Sequence, residues 1–378
     1  MAGIYVHVPF CKQACHYCDF HFSTQLGRKE KMVDMLQKEM ELRKGKFQND
    51  EVETIYFGGG TPSVLKLEEI ERLIQAVYNN YKVIDHPEIT LEANPDDLAN
   101  NRIIQLSKSP INRLSIGIQS FFDEDLKLMN RAHNAGEAQS CIQEATKYFE
   151  NISIDLIYGI PGMDHERWKV NIEKALTFQV PHISSYALTV EPRTALKKFI
   201  EKGIVPDVDD AQAHQQFHIL EERLEKQGYI NYEISNFGKP GFFSKNNTSY
   251  WQGKKYMGIG PSAHSFDGQR RAWNVRNNIK YINALEKGEL PMEMESLSKT
   301  DQYNEYIMTG LRTIWGVTKQ VVNDRFGKQY LNYLNEQSQK YVDDHLLFED
   351  DGILLATKKG KFLVDGIAAD LFMVNLEK

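Results

Sequence analysis

Six short apolar segments recur along the first half of the chain, at 4–8, 54–57, 88–92, 113–118, 153–158 and 182–188. Each is rich in Ile, Val, Leu or Tyr and ends in Gly, Pro, Asn or Ser, which reads as a strand. Between them lie stretches whose apolar residues fall three and four apart, at 30–42, 67–81, 97–106, 138–149 and 166–178. That is the period of an amphipathic helix. Strict alternation of strand and helix predicts a parallel sheet with helical crossovers. Six units are two short of a closed eight-stranded barrel. An incomplete (β/α)6 arc is therefore expected within residues 1–235, with a last helix at 209–227. Cys11, the glycines 58–60, Glu92, Gln119, Asp155 and Ala187 all fall at or just after strand ends. That rim is where parallel α/β folds carry their sites.

Residues 236–298, rich in Gly, Pro and Asn at their start, are expected to connect this arc to a third region at 299–378. In that region, helical patterns at 303–313, 320–326 and 330–344 precede two apolar runs, 346–348 and 353–356, around Asp350-Asp351-Gly352. Asp-Gly between two such runs signals a hairpin. Helices followed by a ribbon resemble a winged-helix module. From residue 299 onward, 10 Lys/Arg face 12 Asp/Glu, which favours packing or a protein partner over nucleic acid. The whole chain carries a net charge of −7, which also argues against nucleic-acid binding. Hydrophobic residues make up 41%, ordinary for a globular protein, and no apolar run reaches the length of a spanning helix. The N-terminus opens on a strand pattern without a basic leader. The expectation is a cytoplasmic protein with reduced thiols, peripheral contact at the inner membrane face being left open.

Of the chain's 4 cysteines, three stand within eight residues, Cys11-Lys12-Gln13-Ala14-Cys15-His16-Tyr17-Cys18. A disulfide framework would call for even pairing in a secreted context. Clustered soft thiolates instead suit zinc, copper(I) or iron–sulfur. A closed zinc site needs four ligands, and His16 or His21 could supply the fourth. A [4Fe–4S] cluster on three cysteines would leave one iron open.

The C-x3-C-x2-C spacing resembles the radical S-adenosylmethionine (SAM) superfamily. So does Gly58-Gly59-Gly60-Thr61-Pro62 after the second strand, whose bare backbone allows close approach of a ligand. The resemblance implies a [4Fe–4S] cluster on Cys11, Cys15 and Cys18, with SAM on its open iron, in a TIM-like barrel. It places Tyr5, Gly59, Gly60, Thr61, Glu92, Gln119, Arg131 and Asp155 around SAM. A guanidinium suits the SAM carboxylate; Gln and Asp suit ribose hydroxyls or the exocyclic amine. Glu92 could equally be a solvated loop acid. An acid within Ile154-Asp155-Leu156-Ile157 is unusual for packing alone.

From 5–11 to 352–360, nearly the whole chain is similar to the oxygen-independent coproporphyrinogen III oxidase-like family. The oxidases of that family carry a further cysteine two residues after the third, where this chain has Phe20, and a longer N-terminal extension. Both departures point to the family's haem-chaperone branch. That branch implies haem as cargo and haem-accepting proteins, respiratory enzymes at the membrane among them, as partners. An oxidase or another tetrapyrrole enzyme is the alternative. The branch has H-N-x-x-Y-W, its histidine implicated in haem binding. Here the segment reads Asn246-Asn247-Thr248-Ser249-Tyr250-Trp251. An amide is a poor ligand for haem iron. Tyr250 and Trp251 could face a porphyrin or plug an apolar seam, and His264 is a substitute ligand candidate.

Overall fold

The computed structural model describes residues 2–47 and 50–374. Six parallel strands stand in chain order: β1 (Ala2–Val8), β2 (Val52–Gly59), β3 (Val83–Ala93), β4 (Arg113–Gln119), β5 (Asn151–Tyr158) and β6 (His182–Ala187). The crossovers are α1 (Lys29–Leu42), α2 (Leu67–Asn80), α3 (Arg102–Ser107), the pair α4 (Asp123–Leu128) and α5 (Ala135–Ala145), and α6 (His165–Thr177). After β6 come α7 (Ala195–Glu201) and α8 (Asp210–Lys226). The expected arc is present.

The two-residue period of the strands sorts the faces. Ile4, Val6, Ile55, Phe57, Ile89, Leu91, Leu114, Ile116, Ile152 and Ile154 are buried in the apolar core beneath the helices. Each such side chain contributes about 1.5–3 kcal/mol. The alternate positions are polar: Tyr5, His7, Thr54, Tyr56, Glu88, Glu92, Arg113, Ser115, Ser153, Asp155, His182 and Ser184. They meet one another across the concave side, as when Ser153 Oγ lies 2.7 Å from His182 Nδ1. The arc thus has its apolar core outside and a polar lumen inside.

Residues 236–298 do more than connect. β7 (Ile230–Glu233) and β8 (Asn236–Gly238) form a hairpin that extends the sheet past β6. β9 (Lys255–Ile259) runs parallel to β1, setting Tyr5 opposite Gly258. β10 (His264–Phe266), β11 (Arg270–Asn274) and β12 (Met292–Ser296) follow antiparallel, completing a twelve-stranded sheet. A buried carboxylate binds this edge to α1. Glu39 pairs with Arg43 at 2.8 Å and accepts from Gly260 N (2.8 Å), Asn274 Nδ2 (2.8 Å) and Tyr281 Oη (2.5 Å). Between β8 and β9, α9 (Lys245–Trp251) packs on β1, β2 and β9 and plugs the lumen at the N-terminal strand ends. Tyr281 lies on α10 (Asn278–Glu286).

The C-terminal unit follows the expected order: α11 (Lys299–Leu311), β13 (Val317–Thr318), α12 (Lys319–Phe326), α13 (Lys328–Asp343), β14 (Leu347–Asp350) and β15 (Ile353–Ala356), then α14 (Lys358–Lys361) and α15 (Val364–Asp370). Its three strands pair in the order β13-β15-β14 over a separate core that includes Tyr303, Ile307, Leu334 and Leu354. Asp351 and Gly352 both have positive φ, 45° and 74°, as a two-residue type I′ hairpin turn requires.

Candidate metal centre and cofactor site

The loop holding Cys11, Cys15 and Cys18 leaves β1 at the C-terminal rim. Backbone bonds fix it on three sides. Cys11 N donates to Ser23 O (3.1 Å), His16 N to Met129 O (3.0 Å), and Leu196 N to His16 O (2.9 Å). Asn130 Nδ2 donates to Ala14 O at 2.7 Å. All three thiols are free and half-buried. Thr61 Oγ1 lies 3.3 Å from Cys11 Sγ, and Arg131 Nη1 3.4 Å from Cys15 Sγ. Burial pushes the Cys11 thiol up to about 11 and raises Cys18 as well. Metal binding here must therefore release protons. His16 Nδ1 sits 2.8 Å from Leu128 O and His21 Nε2 2.7 Å from Asn278 Oδ1. Each bond engages one ring nitrogen and leaves the second, so these contacts do not exclude zinc. Among the described residues no three His, Cys, Asp or Glu side chains converge on one ion. A polynuclear cluster asks for something else: thiolates spread around a cube of iron and sulfur.

Next to the thiols, one pocket is lined by Gly59, Gly60, Thr61, Glu92, Gln119, Arg131 and Asp155. Residues from four strand ends therefore meet in one pocket, while Tyr5 is not among its lining. The glycines are sterically required: a Cβ on Gly60 would stand 2.6 Å from Phe10 O, and Gly59 has φ +113° against the His7 ring. Gln119 takes a left-handed φ of +67° where the β4–β5 register slips, which turns its amide over Gly117. Arg131 donates to Asn94 Oδ1 (2.7 Å) and Gly117 O (2.9 Å), while its buried Nε has no partner. Glu92 accepts from Tyr56 Oη at 2.8 Å. Burial pushes Glu92 up to about 7 and Asp155 to about 6. Tyr5 stacks on Tyr56 at 5.9 Å, and its hydroxyl and Glu92 Oε1 both approach Gly58.

The haem candidates divide. Asn246 is buried at 2% exposure; its Oδ1 accepts from Thr54 Oγ1 (3.1 Å) and its N donates to Glu88 Oε1 (3.1 Å). Asn247 N donates to Ser244 Oγ at the helix cap. Tyr250 and Trp251, by contrast, line a cavity of about 410 Å³ between α9 and the C-terminal unit. Tyr256, Phe266, Tyr306 and Trp315 share its walls with Arg271, Glu305 and Arg325. Neither Asn246 nor His264 lines it; His264 is exposed on β10. The segment read as one ligand motif faces two ways: Asn246 turns to the lumen, while Tyr250, one turn on and hydrogen-bonded to the Asn246 side chain, and Trp251 line the cleft.

Residues 5–175 match the Radical SAM superfamily and residues 297–363 the HemN C-terminal domain. Heme chaperone HemW of Lactococcus lactis is 34% identical over 374 residues, covering 96% of this chain and 97% of that protein. The chain belongs to the HemW family. Heme chaperone HemW of Bacillus subtilis is 32% identical over 367 residues, with 96% and 97% covered. The mouse mitochondrial radical S-adenosyl methionine domain-containing protein 1 is 34% identical over 84% of this chain and 75% of that one. Among solved structures, Escherichia coli coproporphyrinogen III oxidase superposes with a TM-score of 0.86 over 98% of this chain and 90% of the other, at 21% identity. The fold is shared with that oxidase.

In this HemW-family chain, sequence reasoning missed three lumen-facing groups. His7 has its Nε2 3.0 Å from His21 O and is held down to about 4 by burial, so it is neutral. Asn94 bridges Arg131 and Thr61. Arg113 lies beneath the pocket. The alternation in Val6-His7-Val8 and Arg113-Leu114-Ser115 is the signal that would have found two of them.

Proposed function

We propose that this protein holds a [4Fe–4S] cluster on Cys11, Cys15 and Cys18, binds SAM beside it, and carries haem for delivery to haem-accepting proteins. One observation carries the cofactor half. Three free thiols border a pocket with glycine backbone, a guanidinium and two carboxylates on its walls. When bound, such a cluster supplies one electron to the SAM sulfonium. The chain's own part is to bind and orient. The Gly59-Gly60 backbone admits the methionine moiety, Arg131 faces its carboxylate, and Asp155 and Gln119 take polar groups of the nucleoside. The haem half rests on the relatives' printed names and on the aromatic cleft. Flat rings with two arginines at hand suit a planar macrocycle bearing carboxylates.

Iron, acid-labile sulfide and haem content of protein purified without oxygen tests both halves. The expected result is about four irons and four sulfides per chain with haem bound on titration. A single zinc without sulfide overturns the cofactor reading. Conversion of coproporphyrinogen III to protoporphyrinogen by the reconstituted protein with SAM and reductant would replace the chaperone reading with an oxidase. In a haem titration, Asn246→His should match the wild-type Soret shift, because that side chain points to Thr54. A larger shift in the histidine form would seat the iron at α9 and overturn the cleft placement.

A further inference from the structure

Arg113 is 2% exposed, and its Nε has no hydrogen-bond partner. Among the described residues its guanidinium takes part in no ion pair. A buried guanidinium left so is destabilising unless nearby negative charge offsets it. Its strand supplies the reason. β4 runs between β3, which carries Glu92, and β5, which carries Asp155. Ser115 pairs with Glu92, and Gly117 with Asp155. Arg113 therefore starts one and two side-chain layers below the two acids, roughly 7 and 13 Å along the strand, with a long side chain to close that gap.

We propose that Arg113 is a positioning residue: a set-back counter-charge that keeps Glu92 and Asp155 ionised while leaving their oxygens free for SAM. A direct ion pair would occupy the oxygens that must meet the ligand. A cation held beneath both stabilises their charge through the lumen and blocks neither. The inference rests on SAM binding in this pocket.

The surroundings agree. Glu92 faces the hydroxyls of Tyr56 and Tyr5, the Gly59 backbone and Asp155; Tyr250 comes from α9 and Tyr186 from β6. Asp155 faces Ser115 and Ser184, with Arg131 on the cluster side. His182 is held neutral by burial and by Arg113 itself. Of these groups only the two arginines are cationic at neutral pH. Arg131 already donates to Asn94 and Gly117. Arg113 opposes the burial that raises both acids.

The test compares wild type, Arg113→Gln and Arg113→Lys as full-length, anaerobically reconstituted protein with matched iron and sulfide. SAM affinity by equilibrium dialysis and thermal midpoint without SAM are followed from about pH 6 to about pH 8.5. In Arg113→Gln the pH midpoint of SAM binding should rise by about one unit, a loss of about tenfold below it. The thermal midpoint should fall more steeply above pH 7 than in wild type, and Arg113→Lys should restore both. Identical profiles in wild type and Arg113→Gln overturn the proposal. If wild type binds no SAM, the cofactor reading fails, and the thermal profile alone decides Arg113. If Arg113→Gln does not fold, Arg113→Gln/Glu92→Gln decides: a folded double variant supports charge balance, and an unfolded one overturns it.

Discussion

At the scale of single residues, the thiols and the lumen acids make the sharpest predictions. Cys11→Ser, Cys15→Ser or Cys18→Ser should each strip iron and sulfide from the purified protein, as metal analysis will record. Cys141→Ser should not, since burial in α5 pushes that thiol up to about 12. Glu92 sets a pH dependence. Its pKa, about 7 in the fold, lies above the ordinary carboxylate range, so the proton is held more tightly folded than unfolded. The stability that Glu92 contributes is therefore fully present at low pH, is lost as pH rises through the window from about 4.5 to about 7, and is flat above it. SAM binding should run the other way, weakening as Glu92 protonates below about 7. Glu92→Gln should flatten the lower limb of a SAM affinity profile. The motif cysteines, glycines and Glu92 were legible because their chemistry is local. Arg113 was not, because its meaning lies in what surrounds it on three strands.

At the scale of elements, the six strands and their crossovers were legible from two periodicities, and the Asp351-Gly352 turn from a dipeptide. Residues 255–296 were not. Their strands are short, and what fixes them is the Glu39 carboxylate on α1, more than two hundred residues earlier in the chain. A polar residue in the middle of a helix gives no hint of distant partners. Glu39→Gln should destabilise the protein by about 3–5 kcal/mol, because Arg43 is left buried and unpaired. Denaturant midpoints will measure it. Glu39→Gln/Arg43→Met should recover part of that loss.

At the scale of the whole molecule, the two candidate sites lie at opposite ends of one polar lumen. The thiols and the glycine-lined pocket occupy the C-terminal strand ends; α9 closes the other end and turns its last residues to the aromatic cleft. The C-terminal unit forms the far wall of that cleft and docks by backbone bonds, Ile234 N to Arg312 O (3.0 Å) and Ile314 N to Tyr232 O (3.1 Å). Arg312 lies over Trp251 at 5.1 Å. Trp251→Ala with Trp315→Ala should weaken haem binding by about tenfold while iron and sulfide content stay at wild-type levels. Equal loss of all three would mean the two sites are not separable. Sequence resemblance put Asn246 where the haem-chaperone branch has its histidine; in the fold its side chain meets Thr54 in the lumen.

The thiol loop has one more consequence. Main-chain bonds to Ser23, Met129 and Leu196 hold its shape, and none of them involves metal. If these thiols hold the cluster proposed above, protein stripped of its irons by oxygen should keep its socket. Repair would then need fresh iron, sulfide and a reductant to return the thiols, with no refolding, and bleached protein should regain its visible absorbance when recharged in native buffer under reducing conditions.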